Sequence, residues 1–227
     1  MEQSFVDLLD RNREHAETFQ TRFDSLQDGQ QPELVTVCCS DSRVLQDEMW
    51  GNDEPGKIFT CGNIGNRVIQ HTDDGAEVVS GDVLYPVVHT DTKTVVVVGH
   101  TGCGAVIGTY DELTTGLDEP DGIEHCLGLL SPHLRAGIEL LPDGVGRTEA
   151  INKLVEYNVD RQLDALAASD EVPDDVRLVG CVYDFQDIYS GHRGEVHVIN
   201  VDGERDVETL RAEHPEIGTH IERFWEY

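Results

Sequence analysis

The chain has 227 residues, 38% of them hydrophobic, enough for one sizeable core, and it contains no apolar run of the roughly 18 residues needed to cross a bilayer. Lys plus Arg number 16 against 45 Asp plus Glu, a formal net charge of −29, which excludes the basic footprints that nucleic acids and anionic membranes require. The acidic residues run through the whole length instead of gathering in a tail, and the lysines are confined to Lys57, Lys93 and Lys153. That distribution fits a folded halophilic protein, because salt at about 1 M screens charges within a few ångströms. The N-terminal "MEQSFVDLLDRNREHAETF" lacks the basic start and apolar block of a secretory signal, so the expected location is cytoplasmic.

In chain order, Phe5, Leu8, Leu9 and Phe19 recur at helical spacing and predict an amphipathic helix over residues 4–20, part of an N-terminal arm of about residues 1–28. "ELVTVCC" (33–39) and "KIFTC" (57–61) read as strands, the second ending in the turn-rich "GNIGN" (62–66). Residues 76–89 are expected to be one helix, although Gly81 and Pro86 interrupt its pattern. "TKTVVVVGH" (92–100) is a strand of the kind buried on both faces. A helix opens at Gly104 with "GAVIGTYDEL", the loop-like "TTGLDEPDG" (114–122) follows, and helical patterns occupy 131–141 and 147–168. "VRLVGCVYD" (176–184) is a further strand, "GEVHVINVDG" (194–203) a strand hairpinned to it, and a short helix closes the chain near 206–213. Strands alternating with helices predict a single α/β domain over residues 1–227, with a mainly parallel central sheet, an antiparallel edge strand and flanking helices.

The chemistry concentrates at two strand ends. "CSDSRV" (39–44) follows the first strand and "HTGCGAV" (100–106) the third, both where parallel sheets form binding crevices. A thiol and a carboxylate from one strand end, with His-x-x-Cys from another, make a Cys₂His donor set with a fourth position open, the arrangement of a catalytic zinc. The cysteines number six, irregularly spaced; in a reducing compartment they read as ligands or as small buried hydrophobes.

The paired motifs, in this order, resemble the β-class carbonic anhydrases. "FTCGNIGN" (59–66), "SGDVLYPVVH" (80–89) and the late "GCVYDFQDIYSGHRGEVHVI" (180–199) extend the resemblance, while residues 111–170 add little to it. The resemblance implies one Zn2+ per subunit held by Cys39, His100 and Cys103, with Asp41 and Arg43 as the acid–base pair. It leaves Cys38, Cys61, Cys126 and Cys181 as packing residues. The implied reaction is reversible hydration of CO2 to bicarbonate and a proton by zinc-bound hydroxide. Gln30, Phe59 and Tyr85 stand where one branch of the family lines its substrate pocket, largely across a subunit boundary, so a homodimer or higher homo-oligomer is implied. Thr36 and Gly62 stand where other members carry the Trp and Arg of a regulatory bicarbonate site, so that site is expected to be absent and the metal site open. The alternatives are a hydrolase of carbon disulfide or carbonyl sulfide on the same scaffold, and a non-catalytic zinc-binding protein.

Overall fold

The computed structural model describes residues 2–227. At its centre lies β5 (Thr94–His100), whose valines divide between two layers: Val95 and Val97 join the larger core, Val96 and Val98 the smaller one behind it. A strand apolar on both faces needs cover on both. Its neighbours β1 (Leu34–Cys39) and β6 (Arg177–Asp184) run parallel to it, and β2 (Ile58–Asn63) runs parallel outside β1. β7 (Glu195–Val201) pairs antiparallel outside β6, which completes the order β2-β1-β5-β6-β7. The sheet is therefore mainly parallel with one antiparallel edge, as the strand pattern predicts.

Helix α6 (Arg147–Ala167) lies across β5 and β6, while α2 (Gly81–His89) covers β1 and β2. Two more helices, α3 (Gly104–Thr114) and α5 (Ser131–Glu139), pack on α6. Leu154, Val155, Val159 and Leu163 of α6 are buried against the sheet, each stabilising the fold by about 1.5–3 kcal/mol. The same helix buries Glu156 and Asp160 completely. Phe224 N–H and Trp225 N–H donate to Glu156 at 2.7 and 2.9 Å, and Arg223 donates to Asp160 at 2.9 Å. Tyr227 Oη and Asn200 Nδ2 add bonds of 2.6 Å to Asp160, so the C-terminal tail satisfies the helix. A small helix, α7 (Val207–Glu213), packs beside β7 through Leu210. By contrast α1 (Gln3–Phe19) buries no residue, and Phe5, Leu8 and Leu9 are about half exposed.

Two expectations are corrected. Residues 76–89 are not one helix: Glu77–Val79 form β4, antiparallel to β3 (Ile69–His71), and the helix begins only at Gly81. Ser80 divides them, since its N–H bonds Val68 O in the hairpin while its side chain caps Asp82 N–H. Residues 121–128 form a helix, α4 (Asp121–Gly128), where a loop through 122 was expected. Pro120 at its N-cap and Asp121 and Glu124 in its first turn suit a helix start, and Leu127 buries it.

From β1 the chain moves outward to β2, then returns to place β5 on the other side of β1. The connections leaving β1 and β5 thus diverge, and a crevice opens at their carboxyl ends. Cys39 and His100 are the last residues of those two strands.

Candidate metal centre

Cys39 and His100 reach this crevice from the strand ends, and Cys103 from the turn that becomes the N-cap of α3. Their ligand atoms all lie within 4.8 Å of one another, and the two sulfurs are 3.7 Å apart. His100 Nδ1 is 3.1 Å from Thr101 O, which fixes Nδ1 as the protonated nitrogen and leaves a lone pair on Nε2. That Nε2 is buried and has no hydrogen-bond partner among the described residues. An unsatisfied buried acceptor costs about 1–3 kcal/mol, so its lone pair, aimed at two sulfurs, marks a position for an electrophile. Two soft thiolates and an imidazole suit zinc better than magnesium or calcium. The donor set fits the metal.

The same geometry sorts the cysteines. Donation from the Cys103 thiol outweighs burial and, with help from His100 and Gly65 N–H, lowers Cys39, while the same hydrogen bond raises Cys103. Cys38, one residue earlier, points to the opposite face of the sheet, where burial pushes it up to about 12. Burial also holds Cys61 and Cys181 at about 12. Thus a single position of the Cys-Cys pair is prepared as a thiolate.

Two glycines make the cradle possible. Gly65, at φ +84°, brings its N–H to 3.4 Å from Cys39 Sγ, and a Cβ there would meet Leu130 at 2.5 Å. Gly102, between the His and Cys ligands, has φ +63° and donates its N–H to Asn152 Oδ1 of α6 at 2.9 Å.

Beside the ligands, Arg43 grips Asp41 through Nε at 2.9 Å and Nη2 at 2.6 Å, and its backbone N–H adds a third bond at 2.9 Å. The guanidinium holds the Asp41 carboxyl well below the usual carboxylate range. Asp41 Oδ2 lies 3.7 Å from His100 Nε2. An adjoining cavity of about 230 Å³ is walled by Cys39, Asp41, Ile64, Glu119, Ile123 and Leu127, among others. The site thus combines a soft donor trio, a carboxylate kept anionic, and an apolar space large enough for a small linear molecule.

The other expected residues lie elsewhere on the chain. Gln30 is exposed. Half-buried Phe59 and half-exposed Tyr85 pair with ring centroids 6.2 Å apart, and neither lines this cavity. Thr36 is fully buried and hydrogen-bonds Gln46, whose amide also lies 2.9 Å from where a Cβ on Gly62 would stand. Gln46 therefore occupies the space beside these two small residues. The sequence reading missed Asn152 and the cavity wall from α4; the apolar spacing of Ile123 and Leu127 was the available signal for the second.

Comparison with known proteins places this geometry. The family model described as carbonic anhydrase matches residues 34–193. A carbonic anhydrase from Emericella nidulans is 33% identical over 137 residues, covering 60% of this chain and 56% of that protein, so the chain spans little more than half of this curated relative. The β-carbonic anhydrase CafA of Aspergillus fumigatus is 26% identical with a TM-score of 0.68, covering 97% of this chain and 100% of the other. A structure from a study of two tetrameric β-carbonic anhydrases of Sordaria macrospora gives 23% identity and a TM-score of 0.70, covering 88% of this chain and 98% of the other, a likeness of fold. The match over most of the chain, joined to a Cys-His-Cys centre at the crevice, establishes that this chain belongs to the carbonic anhydrase family, in the fold of its β class.

Proposed function

We propose that this chain is a zinc-dependent carbonic anhydrase that catalyses the reversible hydration of CO2 to bicarbonate and a proton. The carrying observation is the Cys39–His100–Cys103 trio set beside an aspartate that Arg43 keeps anionic. Cys39 Sγ, His100 Nε2 and Cys103 Sγ would hold the ion. Zinc bound there supplies a Lewis acid that makes water acidic enough to yield hydroxide near neutral pH. Because the two thiolates cancel a dication's formal charge, they acidify water less than imidazoles would, and the chain's other groups must compensate.

Asp41, ionised and therefore without a donor of its own, would accept a hydrogen bond from a hydroxide supplied at the metal site and orient it towards CO2. Arg43 fixes the orientation of that carboxylate through its two-pronged grip. Ile64, Ile123 and Leu127 offer CO2 an apolar wall. With Gln46 beside Thr36 and Gly62, the metal site works in its open form at neutral pH, without a regulatory bicarbonate.

Gln30, Phe59 and Tyr85 complete the substrate pocket from a second copy of the chain, which makes a homodimer the smallest active unit, with higher assemblies built on it. The relatives from Sordaria macrospora are described as tetrameric, which supports an oligomeric reading. The chain acts as one domain with an N-terminal arm of about residues 1–28, and it works in the cytoplasm of a halophile, a reading supported by the −29 charge. The intact Asp41–Arg43 pair speaks against a merely structural zinc site.

The test is zinc content together with stopped-flow CO2 hydration in molar salt, for the wild type and Cys39→Ser, with carbonyl sulfide as a second substrate. Stoichiometric zinc and hydration in the wild type, both lost in Cys39→Ser, are expected. Metal-free wild type, or faster turnover of carbonyl sulfide than of CO2, would overturn the reading.

A further inference from the structure

We infer that Phe185 is a positioning residue, whose ring ties His100 to the Asp41–Arg43 pair and makes the four side chains one unit. The ring lies 5.5 Å from the His100 ring, centroid to centroid, inclined by 27°. It also carries the Arg43 guanidinium, with Cζ 4.5 Å from its centroid. Arg43 grips Asp41, and Asp41 Oδ2 stands 3.7 Å from His100 Nε2. Phe185 therefore joins the two sides of the site, His100 on one and Arg43 with its aspartate on the other, while Asp41 Oδ2 and His100 Nε2 face the same space as two acceptors with no bond between them. Phe185 is the one member with no polar side-chain atom, so its part is placement.

The backbone beneath the ring is unusually well held. Phe185 N–H donates to Thr101 Oγ1 at 3.1 Å, and that hydroxyl donates to Asp184 Oδ1 at 3.1 Å. The Asp184 carboxylate also accepts the N–H groups of Gln186, Ile188 and Tyr189 at 2.8–2.9 Å. Thr101 N–H in turn donates to Tyr183 O. The turn after β6 is thus clasped to the residue that follows His100, and the ring rides on a rigid mount. Tyr183 buttresses it edge-on, with centroids 5.8 Å apart at 71°.

A plain core role would not require the Arg43 contact. Arg43 is a long side chain, half exposed, whose only carboxylate partner among the described residues is on its own loop. Salt screens the exposed outer part of the guanidinium, whereas its stacking on an aromatic face is a short-range contact that needs no counter-charge. The ring therefore holds the arginine from a second side, beside its two-pronged grip on Asp41, and the same ring limits rotation of the ligand imidazole.

The activity readout of this inference rests on the hydration reading above; its other two readouts do not. Phe185→Leu keeps apolar volume and removes the aromatic face, while Phe185→Tyr keeps the face. Each variant is compared with the wild-type holoenzyme in molar salt by CO2 hydration kinetics, by the visible spectrum of the cobalt-substituted protein, and by phenylglyoxal labelling of Arg43 quantified by peptide mass spectrometry. In Phe185→Leu, with zinc still stoichiometric, kcat/KM is expected to fall about tenfold and Arg43 labelling to rise about fivefold, the scale of one lost cation–π contact and a freed side chain. The cobalt spectrum should change as well, and Phe185→Tyr should restore all three readouts.

Wild-type labelling and spectrum in Phe185→Leu would overturn the inference, as would losses in Leu and Tyr alike that only follow lost zinc or lost fold. Should Phe185→Leu not fold, Phe185→Met is judged by the same labelling and spectrum. A wild type that does not hydrate CO2 defeats the hydration reading alone, and labelling with the spectrum then decides the role of Phe185.

Discussion

Helices α1 and α6 invert each other's chemistry. α1 holds Phe5, Leu8 and Leu9 in solvent and buries nothing, whereas α6 carries Glu156 and Asp160 fully inside. Neither composition is wrong for its place once the partners are counted. The carboxylates of α6 meet Arg223, Tyr227, Asn200 and two backbone N–H groups of the tail, so the buried charge is paired and hydrogen-bonded. Among the described residues the apolar stripe of α1 stays about half exposed, and under the oligomeric reading a second copy covers it.

That contrast can be broken most forcefully at its polar end. Asp160→Ala removes the nearer of the two buried carboxylates beside Arg223, leaving Glu156 at 3.9 Å, and should destabilise the fold by about 3 kcal/mol, measured by denaturant unfolding in molar salt. The loss should persist as salt is raised, because the pair is shielded from ions; a loss that salt erases would place the pair at the surface.

A smaller effect is expected at Asp184. Burial pushes its carboxyl up, but the N–H groups of Tyr189, Gln186 and Ile188 with the Thr101 hydroxyl outweigh burial and hold it below its ordinary value. A depressed carboxylate contributes stability above its unfolded pKa, near 3.8, and that contribution is lost as pH falls through the lower folded value. Asp184→Asn should therefore cost about 1–3 kcal/mol at neutral pH, and the gap to wild type should close below about pH 3.8 in melts recorded across pH.

Next comes Lys153 of α6, whose ammonium lies 4.8 Å from the centroid of Phe224 and 5.8 Å from that of Trp225. Lys153→Met should cost about 1 kcal/mol by denaturant unfolding and loosen the tail, seen as faster carboxypeptidase release of Tyr227. Smallest of all on stability is the exposed helix: Leu8→Asp with Leu9→Asp should change unfolding by no more than about 0.5 kcal/mol per chain at constant oligomeric state. The same pair should lower the molar mass seen by light scattering, and an unchanged mass would remove α1 from the interface.

These regions also show what the sequence discloses. Cys39, Asp41 and Arg43, or His100 and Cys103, sit within a few residues of each other, and the sheet order brings the two groups together. Such local motifs are legible because the chain itself enforces their proximity. Phe185, Asp184 and Asn152 reach the centre from distant segments, and nothing in their local pattern announces it. The same holds for α6: its mixed pattern predicts a helix over 147–168, yet the burial of Glu156 and Asp160 in its middle depends on a tail that begins more than fifty residues later. Residues 76–89 misled for a different reason. Three strand residues and a helix shared one apolar stretch, and only the hairpin with Ile69–His71 tells them apart.

The crossing of the chain between β2 and β5 carries a thermodynamic consequence. Donors 39 and 100 stand on neighbouring strands with residues 40–93 between them, so the trio exists only after β1 and β5 have paired. A disordered chain offers no equivalent cage, and free zinc therefore favours the native ensemble by RT ln(1 + [Zn]/Kd). Chelation should accelerate amide hydrogen exchange in the middle of the sheet, in β1 and β5, ahead of the β7 edge. The ion would then act as a fastener for a pairing whose partners, Val35 and Val95, stand far apart in the sequence.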